Sequence, residues 1–130
     1  MKIILELESD TPLYQQIRDQ IVEGIATGQL VDGASLPSTR QLAADFGINF
    51  HTVNKAYDLL RQEGLLRLNR KSGAVIHVDL PPEVFREQWQ ARARVLLAEA
   101  FVKGIDGNEL LEICRTILAG FTASPLEDTK

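Results

Sequence analysis

The sequence predicts a mainly α fold with a small β hairpin, and three stretches of its 130 residues carry that prediction. From Leu36 to Gln62 the run LPSTRQLAADFGINFHTVNKAYDLLRQ holds two short helical patterns joined by a tight turn. Helices packed that closely want a small residue midway along the first, a glycine in the turn and a branched apolar residue inside the second. Ala43, Gly47 and Val53 stand at those places, and Leu42, Phe46, Ile48, Ala56 and Leu60 complete an apolar seam. Next, Leu65 to Asn69 (LLRLN) and Ala74 to Val78 (AVIHV) are strand-like runs separated by Arg70-Lys71-Ser72-Gly73, a hairpin signal. Beyond Pro81-Pro82 come two amphipathic helical patterns. The expected architecture is therefore a winged helix-turn-helix over residues 1–79, followed by a tail of two C-terminal dimerisation helices over residues 80–130.

Taken in order, Lys2 to Leu7 is a short β-prone segment. Thr11 and Pro12 read as an N-cap with proline at the first helical position, where its missing N–H costs nothing. Leu13, Tyr14, Ile17, Ile21 and Ile25 recur at three- and four-residue steps, and Gly28 is a left-handed terminator. This first helix supplies a third wall of the core. Gln29 to Ser35 is a connector with a turn at Asp32-Gly33. Ser38-Thr39-Arg40-Gln41 fits a capping box, in which the Ser38 hydroxyl and the Gln41 side chain each satisfy a backbone donor. The second helix starts there and ends at Gly47. Asn49 caps a third helix that runs to about Gln62 and closes at Glu63-Gly64. Because an isolated hairpin is marginal, the one that follows must pack on the helices through Leu66, Leu68, Ile76 and Val78.

In the tail, Glu83 to Lys103 reads as one helix of roughly 30 Å, with Phe85, Trp89, Ala93, Leu96, Leu97, Ala100 and Phe101 on one stripe. Gly104 and Asp106-Gly107 break it, and Asn108 is the expected cap of a last helix carrying Leu110, Leu111, Ile113, Cys114, Ile117, Leu118 and Phe121. Ser124 to Lys130 reads as a frayed end. Two such helices cannot bury their apolar faces on each other alone, so a second copy of the chain is the economical cover. Phe85, Trp89, Leu96, Leu97, Phe101, Leu110, Ile113 and Ile117 are the expected dimer interface.

Composition narrows the function classes. An apolar share of 45% suffices for a core. No apolar run approaches a membrane span, and Met1 is followed by an alternating stretch rather than a basic region and an apolar plug, so a cytoplasmic protein is expected. The single cysteine, Cys114, cannot close an internal disulfide and has no Cys/His partners at metal spacing; it reads as a small core residue. No metal or cofactor is expected. The sequence offers no glycine-rich phosphate loop and no nucleophile with a base partner, which argues against an enzyme. The net charge of −4 argues at first against nucleic acid, but its distribution does not. Up to Ala34, Lys2 and Arg18 face Glu6, Glu8, Asp10, Asp19, Glu23 and Asp32; from Ser35 to His77, Arg40, Lys55, Arg61, Arg67, Arg70 and Lys71 face only Asp45, Asp58 and Glu63. Positive charge thus collects on the segment that the helical pattern nominates.

Leu36-Pro37-Ser38-Thr39-Arg40-Gln41-Leu42-Ala43, then Thr52-Val53-Asn54-Lys55-Ala56-Tyr57 and Glu63-Gly64-Leu65, together with Pro12-Leu13-Tyr14-Gln15-Gln16-Ile17, closely resemble the N-terminal domain of the GntR family of bacterial transcription regulators. The resemblance covers about Ser9 to Val78. The short two-helix tail resembles the YtrA-like subgroup, in which such a tail serves dimerisation; the large effector-binding or aminotransferase-like domain of other subgroups is not expected. The resemblance implies double-stranded DNA as partner, with contacts at Arg40, at Asn49, Phe50, His51, Thr52 and Asn54, and around the wing at Arg70, Lys71, Ser72 and Gly73. Family members often carry a basic residue where this chain has Phe50. That removes a bidentate contact to guanine, and leaves the ring to touch a thymine methyl or simply to pack.

Within that frame, Arg40 in the first turn of its helix suits a phosphate contact, against the alternative of a merely solvated arginine. His51, Asn54, Lys55 and Asp58 lie on the polar side of the third helix, away from Val53, Ala56 and Leu60. His51 and Asn54 can bond base edges, Asn49 and Thr52 base or phosphate, and Lys55 can neutralise backbone. Tyr57 fits either the core or a phosphate contact. Arg61 and Arg67 read as surface residues, His77 as a strand-face residue, and Trp89 and Phe101 as core or interface rather than a ligand box. The expected protein is a homodimeric repressor on an inverted-repeat operator; the alternative is a winged helix used only for protein contact, whose exposed helix and wing need not be polar and basic.

Overall fold

A computed structural model describes residues 2–71, 73–122 and 126. The chain divides into two units, one running to Leu80 and one spanning Pro81–Thr122. The first holds α1 (Leu13–Ala26), β1 (Ser35–Leu36), α2 (Thr39–Phe46), α3 (Phe50–Gln62), β2 (Leu66–Asn69) and β3 (Gly73–Ile76); the second holds α4 (Phe85–Val102) and α5 (Gly107–Ala119). Mainly helical with a small antiparallel wing, this is the architecture the sequence predicts.

The core of the first unit follows from the apolar spacing. Ile17 and Ile21 of α1, Val53 and Leu60 of α3, and Ile76 of β3 are fully buried, and Leu42, Ala43, Ala56 and Leu66 join them. Burying an aliphatic side chain of this size contributes about 1.5–3 kcal/mol, so these positions hold three helices and a sheet together without a buried charge. Ala43 lets α2 approach α3, and Gly47 closes α2 at φ 65°, the left-handed conformation its place requires.

The sheet contains a strand that the sequence does not announce. β1 pairs with β3, Ser35 opposite Val75 and Leu36 opposite Ala74, giving the order β1-β3-β2. Two residues are too few to show alternation; the Gly33 turn (φ 88°) delivers them, and Gly33 N donates to the Ile76 carbonyl at 2.8 Å. In the hairpin, Leu66 is buried as expected, but Leu68 is 60% exposed, since it lies further out along the strand and outside the core cluster.

Four local expectations are corrected. Residues 2–6 form no strand. Instead Gln20 accepts from Ile4 N (2.8 Å) and donates to Ile4 O (2.6 Å), while Gln16 does the same for Glu6 at 2.9 and 3.0 Å, so two side-chain amides stand in for the missing neighbour strand. Pro12, not Thr11, is the N-cap of α1: its extended backbone (ψ 147°) precedes Leu13 and its carbonyl accepts from Gln15 and Gln16. Asp106, not Asn108, caps α5, because its carboxylate reaches the Glu109 N–H at 2.9 Å, three residues on. Cys114 is exposed rather than a core residue, because none of α4 or α5 is buried. The expected frayed end, Ser124 to Lys130, lies outside the described residues apart from Leu126.

Candidate nucleic-acid interface

The candidate surface is built from the helix pair α2–α3 outward. Ser38 Oγ accepts from Gln41 N at 3.1 Å and starts α2. The reciprocal half of the capping box does not form, because Gln41 Nε2 donates to Asp45 Oδ1 (2.8 Å) one turn along. Tyr57, ambiguous in the sequence, is buried, and its hydroxyl donates to the Pro37 carbonyl at 2.7 Å, tying α3 to the residue before the cap of α2. Burial pushes the Tyr57 phenol up to about 12 from 10.0. Across the turn, Asn49 Oδ1 accepts from His51 N at 2.9 Å and caps α3 as expected. These caps fix where Arg40 and the first turn of α3 leave the core.

On that frame Arg40, Asn49 and His51 are exposed, while Phe50, Thr52 and Asn54 are half-buried. Phe50 is not directed wholly outward: it packs against the core, Arg40 Cζ sits 4.6 Å from its ring centroid, and the His51 ring lies 4.2 Å away at 31°. Further along α3, Lys55 Nζ sits 4.1 Å from the Tyr14 ring centroid of α1. His51, Asn54, Lys55 and Asp58 line a groove of about 700 Å³ together with Tyr14 and Gln15. The structure thus brings together His51, Asn54 and Lys55 of the predicted set and adds two residues from α1, while Asn49, Phe50 and Thr52 do not line this groove. Sequence reading placed Tyr14 on the core side of α1, because a helical stripe cannot show which neighbouring helix its edge residues meet. Arg70, Lys71 and Gly73 are exposed at the hairpin tip and line neither the groove nor the Arg40–Phe50 contact; Ser72 lies outside the described residues.

The acids of the first unit sort its cations. Glu63 holds Arg18 through two bonds of 3.0 and 2.6 Å, with Asp19 alongside, and this hydrogen bonding holds the guanidinium above its ordinary pKa. Arg61 pairs with Asp58 at 3.4 Å and Arg67 with Asp79 at 3.0 Å, consistent with surface roles. His77 stands between Asp32 and Asp79 at 3.6 and 3.4 Å. Among the described residues no carboxylate pairs with Arg40, Lys55, Arg70 or Lys71. Apart from Lys2 near the start of the chain, the positive charge left over in the first unit therefore lies on the first turn of α2, the outer face of α3 and the hairpin tip, where it is available to phosphate. Among the described residues no charged side chain is buried in the core, no group of His, Cys, Asp and Glu could hold a metal ion, and no helix is long and apolar enough to cross a membrane.

Residues 13–76 match the family described as bacterial regulatory proteins, gntR family. The chain is 30% identical over 120 residues to the HTH-type transcriptional repressor YtrA of Bacillus subtilis, covering 90% of this chain and 92% of that protein. It belongs to the GntR family of transcription regulators. A solved structure, YtrA from Sulfolobus acidocaldarius, a GntR-family transcription factor, superimposes with a TM-score of 0.62 at 40% identity over 77% of this chain and 97% of that one. The GntR relatives differ in length. The HTH-type transcriptional regulator SmoD of Agrobacterium fabrum is 38% identical over 105 residues, but this chain spans only 42% of it. The family and these relatives are regulators, not enzymes, and the YtrA-like, winged helix-turn-helix reading of the motifs holds.

The second unit is described by itself. Of the residues expected at a dimer interface, Phe85, Trp89, Leu96, Leu97, Phe101, Ile113 and Ile117 are all exposed and Leu110 is half-buried. Trp89 at 53% and Phe101 at 63% exposure are enclosed in no box.

Proposed function

We propose that this GntR-family regulator is a cytoplasmic homodimeric repressor that reads an inverted-repeat operator. The observation that carries the DNA reading is the sorting of charge from Ser35 to His77: acids pair with Arg61 and Arg67 and leave Arg40, Lys55, Arg70 and Lys71 open. In this reading α3 enters the major groove, Asn54 and His51 bond base edges, and Arg40, Lys55, Thr52 and the wing at Arg70 to Gly73 fix register on the phosphates. Asn49 contributes by capping α3 and aiming its first turn. A winged helix used only for protein contact has no need of four unneutralised cations around a polar helix.

The exposed apolar faces of α4 and α5 support the dimer, since an uncovered patch holding Trp89, Leu96 and Phe101 is costly in water. Two-fold symmetry then places half-sites about 34 Å apart, one helical turn, or a multiple of it. The repressor role rests on the B. subtilis relative bearing that description. Sedimentation tests the assembly: a dimer is expected, shifting to a dimer–duplex complex on an inverted repeat. A monomer at concentrations where DNA is fully bound refutes it.

A further inference from the structure

Phe50 occupies the first position of α3, where a side chain can turn to DNA or to the protein. Here it packs against the core and offers its ring to Arg40, whose Cζ lies 4.6 Å from the centroid. The ring quadrupole attracts a guanidinium over its face, and a stacked arginine still presents its N–H donors at the edge. A free arginine samples many rotamers and loses that freedom on gripping a phosphate or a guanine. A carboxylate partner would restrain it equally but would cancel the charge it brings. An aromatic ring restrains it and leaves the charge intact.

Lys55 repeats the arrangement on the Tyr14 ring at 4.1 Å. By contrast Arg18, Arg61 and Arg67 are held by Glu63, Asp58 and Asp79. Both cations of the helix-turn-helix face rest on rings, and the three paired arginines of the first unit rest on acids.

We propose that Phe50 is a positioning residue for DNA binding, which acts by restraining the Arg40 guanidinium over its ring without cancelling its charge and does not itself read a base. The proposal rests on the DNA-binding reading above. It makes Phe50 a specificity-neutral residue in the middle of a base-reading segment.

The test is a double-mutant cycle on the full chain, using a duplex that the wild type selects from a random pool and a second duplex of scrambled sequence. Phe50→Leu and Phe50→Met keep apolar bulk and lose the ring; Phe50→Tyr keeps the ring. Thermal melts confirm that each variant folds, and either non-aromatic variant serves. Loss of the ring is expected to weaken both duplexes by about 2- to 5-fold per subunit, as an exposed cation–π contact would. Phe50→Tyr should bind like wild type, and in an Arg40→Ala background Phe50→Leu should cost nothing further. An equal cost in that background overturns the proposal, as does a cost that vanishes when uracil replaces thymine, which would assign the ring to a thymine methyl. If Arg40→Ala itself binds like wild type, Arg40 is not on DNA and the proposal falls while DNA binding stands. If the wild type binds no duplex, the DNA reading falls first.

Discussion

The Tyr57 hydroxyl donates to the Pro37 carbonyl at 2.7 Å, so the middle of α3 is bonded to the residue that precedes the Ser38 cap of α2. The two helices of the motif are thereby joined by a polar bond as well as by the Ala43–Val53 seam. Tyr57→Phe should keep the packing and lose about 1 kcal/mol in urea unfolding, the usual net worth of such a bond. The pH dependence has a definite sign. The folded chain holds this proton more tightly than the unfolded one, so the contribution is intact below about pH 10 and is lost as pH rises towards about 12. Tyr57→Phe should flatten the stability profile in that window; a variant as alkali-sensitive as wild type would dissociate the loss from Tyr57.

Gln16 and Gln20 clasp the backbone at Glu6 and Ile4 with four hydrogen bonds. Replacing Gln20 by alanine should remove hydrogen-exchange protection at the Ile4 amide while leaving amides within α3 unchanged. The cost to global stability should stay near about 1 kcal/mol, because both groups are exposed and water replaces them. Unaltered exchange at Ile4 would show that burial of Ile3 alone orders the segment.

Arg18 and Glu63 join α1 to the end of α3 in a two-bond pair, with side-chain exposures of 22% and 32%. Partial exposure limits its worth to about 1 kcal/mol despite the good geometry. Glu63→Gln should destabilise by that order in low salt and by less at 1 M salt, read from denaturant midpoints. A cost independent of salt would mean that packing of the Arg18 stem, rather than charge, is what was disturbed.

Most of the fold was legible because it follows from spacing. The small residue, glycine and valine of the helix pair, the Asn49 cap and the basic hairpin all have local causes. What escaped depends on contacts between distant segments. β1 exists only because Gly33 brings Ser35 and Leu36 beside β3, and Gln16 and Gln20 act as a strand edge only because residues 2–6 lie across α1. The candidate surface was legible in its residues more than in its linkages. Arg40, His51, Asn54 and Lys55 were readable from motif and helical face, yet neither the Phe50 ring under Arg40 nor Tyr14 under Lys55 follows from any one segment. The α5 cap falls on Asp106, which the sequence marks only as part of a break, and not on Asn108, because the Asp106 carboxylate reaches the Glu109 amide three residues on.

The division of labour on this surface is the central claim, with Asn54 on a base edge and Lys71 on phosphate. It is tested most directly by the binding of Asn54→Ala and Lys71→Ala to a selected and a random duplex across a salt series. Asn54→Ala should lose about 1–3 kcal/mol per subunit on the selected duplex alone, and Lys71→Ala should weaken both duplexes alike and reduce the salt slope by about 1 per subunit. Two variants that behave identically on both duplexes would contradict it.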